Sequence, residues 1–278
     1  MTLRSGQFRE RLKQGLRPMV SDGAMGTLLH ERGIDIDDCF DELNLTQPAI
    51  VAEIHQEYIQ AGAQLIKTNT FGANRTKLDR HGLENRVPEI NAAAVNLAQR
   101  VVSASFKEVI IAGDVGPLGV PMAPFGHIQP EEAVDIYLEQ VQALVDAGVD
   151  LVLIETMVDV YAVRAAVQAV HQVDPNMPVI ASMTFTRDRR TLLGDTPEEV
   201  AERINDLDVD MIGVNCSGGP AQLLRILRKM KAAVPEGHFS VMPNAGFRER
   251  IGGRVMYPAG PEYFHDYALA FWRAGANL

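Results

Sequence analysis

The sequence predicts an α/β fold of the (β/α)8, or TIM, barrel class, with its eighth strand lacking or not showing. Three observations predict it. Seven short apolar or β-rich runs recur along the chain, each followed by a loop and a helix-like stretch. Most of these runs are β-branched or continuously apolar, as in a parallel sheet covered on both faces. The 278-residue length suits a single core of ~250 residues. No linker-like or low-complexity stretch divides the chain, so residues 1–278 read as one domain. A doubly wound open sheet is the competitor. Against it, no Gly-x-Gly-x-x-Gly follows the first run, where Asp22-Gly23-Ala24-Met25-Gly26 has different spacing.

The seven runs, in order, are Met19–Asp22, Gln64–Thr70, Val109–Val115, Asp150–Thr156, Pro178–Phe185, Met211–Cys216 and Phe239–Ala245. The helices between them carry their own signals. Gln47–Ala61 has Pro48 near its start and Ile50, Ile54, Tyr58 and Ala61 on one stripe. Pro130–Ala147 opens on Pro130, Glu131 and Glu132 and carries Val134, Leu138, Val141 and Val145. Thr196-Pro197-Glu198-Glu199 reads as a capping box opening Thr196–Leu207. A weak repeat, Ala61-Gly62-Ala63-Gln64-Leu65 and Ala147-Gly148-Val149-Asp150-Leu151, ends a helix on glycine and starts a strand two residues later. Leu207-Asp208-Val209-Asp210-Met211 is a looser copy. In the last copy, Ala274-Gly275-Ala276-Asn277-Leu278, Leu278 is expected to open an eighth strand. The barrel is accordingly expected to be incomplete at its C-terminus, with an open seam.

Twenty-six Lys+Arg against thirty-six Asp+Glu give a net charge of −10. That balance argues against nucleic-acid and anionic-membrane partners, which want a basic face. Cys39 and Cys216 cannot form a disulfide framework, and no apolar leader core precedes them. Apolar runs such as Leu151–Ile154 are strand-sized, far below the ~20 residues of a membrane span. A cytoplasmic setting is expected.

Barrel sites are built at the C-terminal ends of strands. Those ends carry Asp22, Thr68 to Thr70, Asp114, Glu155, Thr184, Asn215 with Cys216, and Asn244. Asp114 and Thr184 read as helix-capping groups. Asp22 and Glu155 close apolar runs where an unpaired carboxylate is costly, so they point to a cationic ligand group or acid/base work. Cys216, just before a helix, is placed to favour a thiolate, as nucleophile or metal ligand; a small buried apolar role is the alternative. Three long loops, Gly33–Thr46, Gly116–Gln129 and Gly246–Gly260, follow strands on one side. The third holds a basic cluster of Arg248, Arg250 and Arg254.

Asp22-Gly23-Ala24-Met25-Gly26-Thr27, Thr68-Asn69-Thr70-Phe71-Gly72-Ala73-Asn74, Glu155-Thr156, Gly213-Val214-Asn215-Cys216 and Pro243-Asn244-Ala245-Gly246 occur in that order at strand ends. Together, over nearly the whole chain, they resemble the homocysteine S-methyltransferase family. The family includes cobalamin-, betaine- and S-methylmethionine-dependent enzymes and fusions with a methylenetetrahydrofolate reductase domain.

The resemblance implies a (β/α)8 barrel that transfers a methyl group to the zinc-bound thiolate of L-homocysteine, giving L-methionine. It implies Cys216 as the first of three zinc cysteines and Asp22 and Glu155 as partners of the homocysteine ammonium. Amides near Gly23, Ala24, Met25 and Thr70 are implied for the carboxylate, and Asn244 for the metal when substrate is absent. The other two cysteines belong to a Gly-Gly-Cys-Cys-Gly-Thr segment on the eighth strand, which is expected beyond Leu278, and Cys39 is no substitute. The chain by itself is therefore expected to be metal-free and inactive. The methyl donor, or donor-carrying domain, is left open. Two other readings stand beside this one: a non-catalytic barrel kept for binding or docking, and a Schiff-base lyase using Lys67.

Overall fold

The computed structural model describes residues 3–15, 17–246, 249–251, 254–256 and 260–278. Six parallel strands form one curled sheet in consecutive order: β1 (Leu65–Lys67), β2 (Ile110–Val115), β3 (Leu151–Met157), β4 (Val179–Met183), β5 (Met211–Asn215) and β6 (Phe239–Met242). Consecutive parallel order requires a crossover after each strand, and helices supply it. They are α4 (Pro48–Ala61), α6 (Val87–Ser105), α7 (Pro130–Ala147), α8 (Val160–Val173), α9 (Pro197–Asn205), α10 (Pro220–Ala233) and α11 (Pro261–Arg273). Short helices α2 (Met25–Glu31), α3 (Leu43–Thr46) and α5 (Arg75–Leu78) sit in the loops.

The alternate side chains of each strand feed two cores. Ile66, Ile111, Val152, Ile154, Val179 and Ile212 pack outward against the helices. Leu65, Ala112, Leu151, Leu153, Ile180 and Met211 pack inward. Helix α1 (Leu3–Lys13), which no sequence signal marked, joins this inner cluster through Phe8 and Leu12. Its apolar face is only those two residues, four apart, too short a stripe to show as periodicity.

The first run is not a full strand. Ser21 makes a single parallel bridge to Leu65, supported by hydrogen bonds from Gln64 N to Val20 O (2.7 Å) and Asp22 N to Leu65 O (2.9 Å). The second run stops early for a local reason: Thr70 N turns back to Thr68 O at 2.9 Å, so the backbone leaves the ladder after Lys67.

The expected open seam is bridged at the end where the strands begin. Ala276 bridges Phe239, Val241 N donates to Leu278 O (2.9 Å), and Met19 N donates to Asn277 O (2.9 Å). Residues 276–278 thus link the β6 edge to the segment that pairs with β1. Towards the other end the seam opens into an apolar cavity of about 420 Å³ flanked by Met19, Val241, Phe271 and Trp272.

The helix signals hold in the structure. Gly62, Gly148 and Gly275 have φ of 110°, 94° and 96°, the left-handed caps that the repeat calls for. In the looser copy Asp208 takes the same conformation at φ 56°. The Thr196–Glu199 capping box is closed from both sides. The first long loop folds into a 3-10 turn, Phe40–Glu42, and α3. The third carries an antiparallel hairpin, β7 (Glu249–Ile251) with β8 (Arg254–Met256). Of the basic cluster, Arg250 and Arg254 stand on that hairpin and Arg248 lies outside the described residues. Among the described residues no helix is long and apolar enough to cross a membrane.

One buried group sets an acid limit on stability. His55 on α4 is fully buried, and neither ring nitrogen has a hydrogen-bond partner. Burial pushes its pKa down to about 4. An unfolded histidine takes up a proton near pH 6.5, whereas the folded one resists to about 4. Stability is therefore lost as pH falls through that window, by about 2–3 kcal/mol at pH 4.5. Urea unfolding at pH 7 and pH 4.5 is expected to show His55→Leu gaining about that much over the parent chain at the lower pH. A constant gap between the two proteins would remove His55 as the cause.

Candidate active site

The C-terminal ends of the strands surround a cavity of about 560 Å³ lined by Asp22, Lys67, Asp114, Glu155, Asn215 and Cys216, with Asn244 at its edge. Backbone packing fixes this rim. The turn after Asp22 lies against α4, where Tyr58 Oη donates to Ala24 O (2.9 Å). A Cβ on Gly23 would stand 2.8 Å from that same Tyr58 oxygen, so only glycine lets the turn approach so closely. Below the site, Gly213 of β5 leaves room for Ser182 and Ser240, whose hydroxyl oxygens would lie 1.8 and 2.4 Å from a Cβ placed there.

Lys67 is the cation buried beside Asp22 and Glu155, and Lys77 and Arg80 also line the cavity. Lys67 Nζ lies 3.5 Å from Glu155 Oε1. Its backbone N donates to Asp22 Oδ2 at 2.8 Å, and Ser21 Oγ donates to Asp22 Oδ1 at 3.2 Å. Burial alone would lower the Lys67 pKa, but the charges of Glu155, Asp22 and Asp114 outweigh it and raise the value. A Schiff-base nucleophile needs a neutral amine, and these charges favour the ammonium. The lyase reading is not favoured. Burial pushes the Asp22 carboxyl up to about 6, with Lys67 opposing.

Cys216 follows β5 in a left-handed conformation, φ 56°, and Thr156 at the end of β3 has φ 59°. Such values are strained for residues with a Cβ, more so for a β-branched one. The side chain of Asn215 holds both neighbours in place. Its Oδ1 accepts from Thr156 N (2.9 Å), while its Nδ2 donates to Thr156 Oγ1 (2.7 Å) and Glu155 Oε2 (3.4 Å). Thr156 Oγ1 reaches Cys216 Sγ at 3.9 Å. Asn244 Nδ2 donates to Cys216 O at 2.7 Å.

The thiolate expected of Cys216 is not favoured. The residue is exposed at the rim. Desolvation by the walls around its sulfur and the nearby Glu155 charge raise its pKa, against a weaker pull from Thr156 and Lys67. Helix α10 begins only at Pro220, with Gly219 as its cap, too far along to act on the sulfur.

Thr70 does not reach the cavity. It is fully buried, its N–H is spent on Thr68 O, and its Oγ1 donates to Asp114 O at 2.7 Å. Cys39 does line the cavity, on the side of Phe40 and Asp41, with its thiol pushed up to about 11 by burial and then Asp41. Sequence reasoning passed over Asn215 and Thr156 as actors. The Asn-Cys and Glu-Thr pairs at neighbouring strand ends were the available signal.

A family profile described as homocysteine S-methyltransferase matches residues 19–278. The chain is 33% identical over 270 residues to methionine synthase of Mycobacterium leprae, covering 92% of this chain and 22% of that protein. The same figures hold for methionine synthase of Mycobacterium tuberculosis. The chain therefore spans about a fifth of the length of these relatives. Among solved structures, the oxidised homocysteine methyltransferase MmuM of Escherichia coli superposes with a TM-score of 0.81 at 23% identity, covering 97% of this chain and 92% of the other. Its metallated form gives 0.78 at 24%, covering 96% and 92%. At this identity the likeness is one of fold.

Iodoacetamide labelling in a Cys39→Ser background checks the electrostatics of Cys216. The rate is expected to titrate above the usual cysteine value of ~8.5. Glu155→Gln is expected to move that midpoint down, because it removes a charge that opposes the thiolate. An unmoved midpoint would leave burial as the whole cause.

Proposed function

Because the chain belongs to the homocysteine S-methyltransferase family, we propose that its cavity binds L-homocysteine and presents the substrate sulfur for methylation to L-methionine. The observation that carries this reading is that Asp22, Glu155 and Cys216 line one cavity. Two carboxylates there receive the ammonium, and the thiol end lies towards Cys216. The N–H groups of Gly23, Ala24 and Met25, at the start of α2, receive the carboxylate. Thr70 contributes indirectly, by holding the carbonyl of Asp114.

Zinc enters the proposal through Cys216. The described residues do not make a zinc site alone: no group of three or more His, Cys, Asp or Glu among them is arranged to hold a metal ion. Cys216 is one thiol, and the side-chain amide of Asn244 is turned to the Cys216 carbonyl. The family resemblance puts the remaining thiolates on the Gly-Gly-Cys-Cys-Gly-Thr segment of an eighth strand. In this reading the sheet completes to (β/α)8, with the run at Ser21 and the residues from Ala276 onward as its outer strands. The partner is a methyl donor, or a domain carrying one, that meets the open mouth.

Asp22→Asn and Glu155→Gln are each expected to weaken homocysteine binding by roughly ten- to a hundred-fold, the loss of a charge-assisted contact of ~1.5–3 kcal/mol. Calorimetry measures it, and unchanged affinity would overturn the ammonium assignment. With the Asp22 carboxyl pushed up to about 6, the parent chain is expected to lose affinity as pH falls through that value. Below it the carboxyl is neutral and no longer attracts a cation. Asp22→Asn is expected to flatten this dependence.

Metal analysis tests the zinc proposal. The 278-residue chain is expected to hold well under one zinc, since one thiolate cannot approach the affinity of a full set. Joining the Gly-Gly-Cys-Cys-Gly-Thr segment is expected to raise zinc to about one per chain, and Cys216→Ala to lower it again. Stoichiometric zinc on the 278-residue chain would refute the shared site.

A further inference from the structure

Asp114 is a buried carboxyl of the cavity with an oxygen that neither the fold nor the proposed binding mode uses. It lines the cavity at the end of β2, is 4% exposed, and its Oδ1 has no hydrogen-bond partner. A buried polar atom without a partner is rare and costly in a folded protein, and one in a cavity wall marks where a ligand atom belongs. The donors nearest in the chain are already committed. Thr68 Oγ1 accepts from Asp114 N at 3.1 Å and Thr70 Oγ1 donates to Asp114 O at 2.7 Å, so both hydroxyls serve the backbone of Asp114. Lys67, the buried cation, is engaged by Glu155 and by Met242 Sδ.

We propose that Asp114 is the third acceptor for the substrate ammonium, completing with Asp22 and Glu155 a set matched to its three N–H donors. The inference rests on the reading of the cavity as a homocysteine site and adds to it a residue that selects a primary, charged amine. Both oxygens of Asp22 meet protein donors, Lys67 N and Ser21 Oγ, and both oxygens of Glu155 do too, Lys67 Nζ and Asn215 Nδ2; each carboxylate oxygen has a second acceptor site that remains for the ligand. Around Asp114 the nearest carboxyls, Asp22 and Glu155, share the buried Lys67 ammonium. The charged and titratable groups that act on Asp114 are Glu155 from β3, Lys67 from β1, Asp22 from the preceding turn, Asp41 from the first long loop, Lys77 from α5 and Cys216 after β5. Burial and Glu155 hold the Asp114 carboxyl above its usual range, with Lys67 opposing. A bound ammonium adds to the pull of Lys67 on this carboxyl.

The test compares homocysteine with 4-mercaptobutanoate, which has the thiol and the carboxylate but no amine. By calorimetry, Asp114→Asn is expected to weaken homocysteine roughly ten-fold and to leave 4-mercaptobutanoate within two-fold. Asp114→Ser repeats the comparison should the asparagine variant melt early. Equal losses for both ligands would make Asp114 structural, and no loss for either would remove it from the site; both results overturn the inference and leave the homocysteine reading standing. If the parent chain binds homocysteine no better than 4-mercaptobutanoate, the ammonium site itself is refuted and the inference falls with it.

Discussion

The structure turns on one constraint, the burial of a single lysine among three carboxyl groups at the end of a parallel sheet. Isolated, any of these groups would be expelled or neutralised at that depth. Together they remain because the Lys67 ammonium faces Glu155, its own backbone N–H serves Asp22, and Asn215 takes the other Glu155 oxygen. Lys67, Glu155 and Asn215 lie towards the C-terminal ends of three different strands, and Asp22 follows the bridge at Ser21. The cluster therefore exists only when β1, β3 and β5 are in register, and the register of the sheet is the geometry of the site.

Strain is concentrated on the same rim. Thr156 and Cys216, end residues of alternate strands, both adopt left-handed backbone conformations. Each costs of order 1–3 kcal/mol and persists only where neighbours over-determine it. Asn215 does this for Thr156, by closing two hydrogen bonds on its N–H and hydroxyl. The Met242 carbonyl and the Asn244 amide do it for Cys216. One consequence is that Cys216 Sγ is turned to the rim and exposed, whereas strand residues before it are buried in the sheet. The rigid part of the molecule, fed by two apolar layers, carries the strained part.

Much of this was legible in the sequence because it depends on local rules. The runs at Asp150–Thr156 and Met211–Cys216 are continuous apolar stretches closed by polar residues, and strands end there. The glycine caps at Gly62, Gly148 and Gly275 were readable because positive φ has few other occupants. What escaped depends on contacts distant in sequence. Helix α1 is defined by where Phe8 and Leu12 insert, at the foot of strands far along the chain. Thr70 looked like a site residue from its motif, but its N–H and hydroxyl are consumed by Thr68 and Asp114. Cys216 looked like a thiolate from its distance to a helix start, and what opposes it, desolvation of its sulfur and then the Glu155 charge, comes from other strands. Asp114 is a polar strand end like several others, and only its missing partner sets it apart.

The surplus of carboxyls also couples ligand binding to stability. Asp22, pushed up to about 6, keeps its proton in the folded chain at pH values where the unfolded chain, near 3.9, has lost it. The folded state then gives up stability as pH rises through that window, fully so above about 6. A ligand that places an ammonium beside Asp22 opposes that loss, because an opposite charge nearby favours the ionised carboxylate. Binding to the folded state alone must then stabilise the fold by mass action. In the proposed binding mode these carboxyls also make the cavity selective, since a neutral ligand of the same shape brings no charge to pair with them. A zwitterionic amino acid would bring an ammonium to them and, at its other end, a carboxylate to the amides of the Asp22 turn.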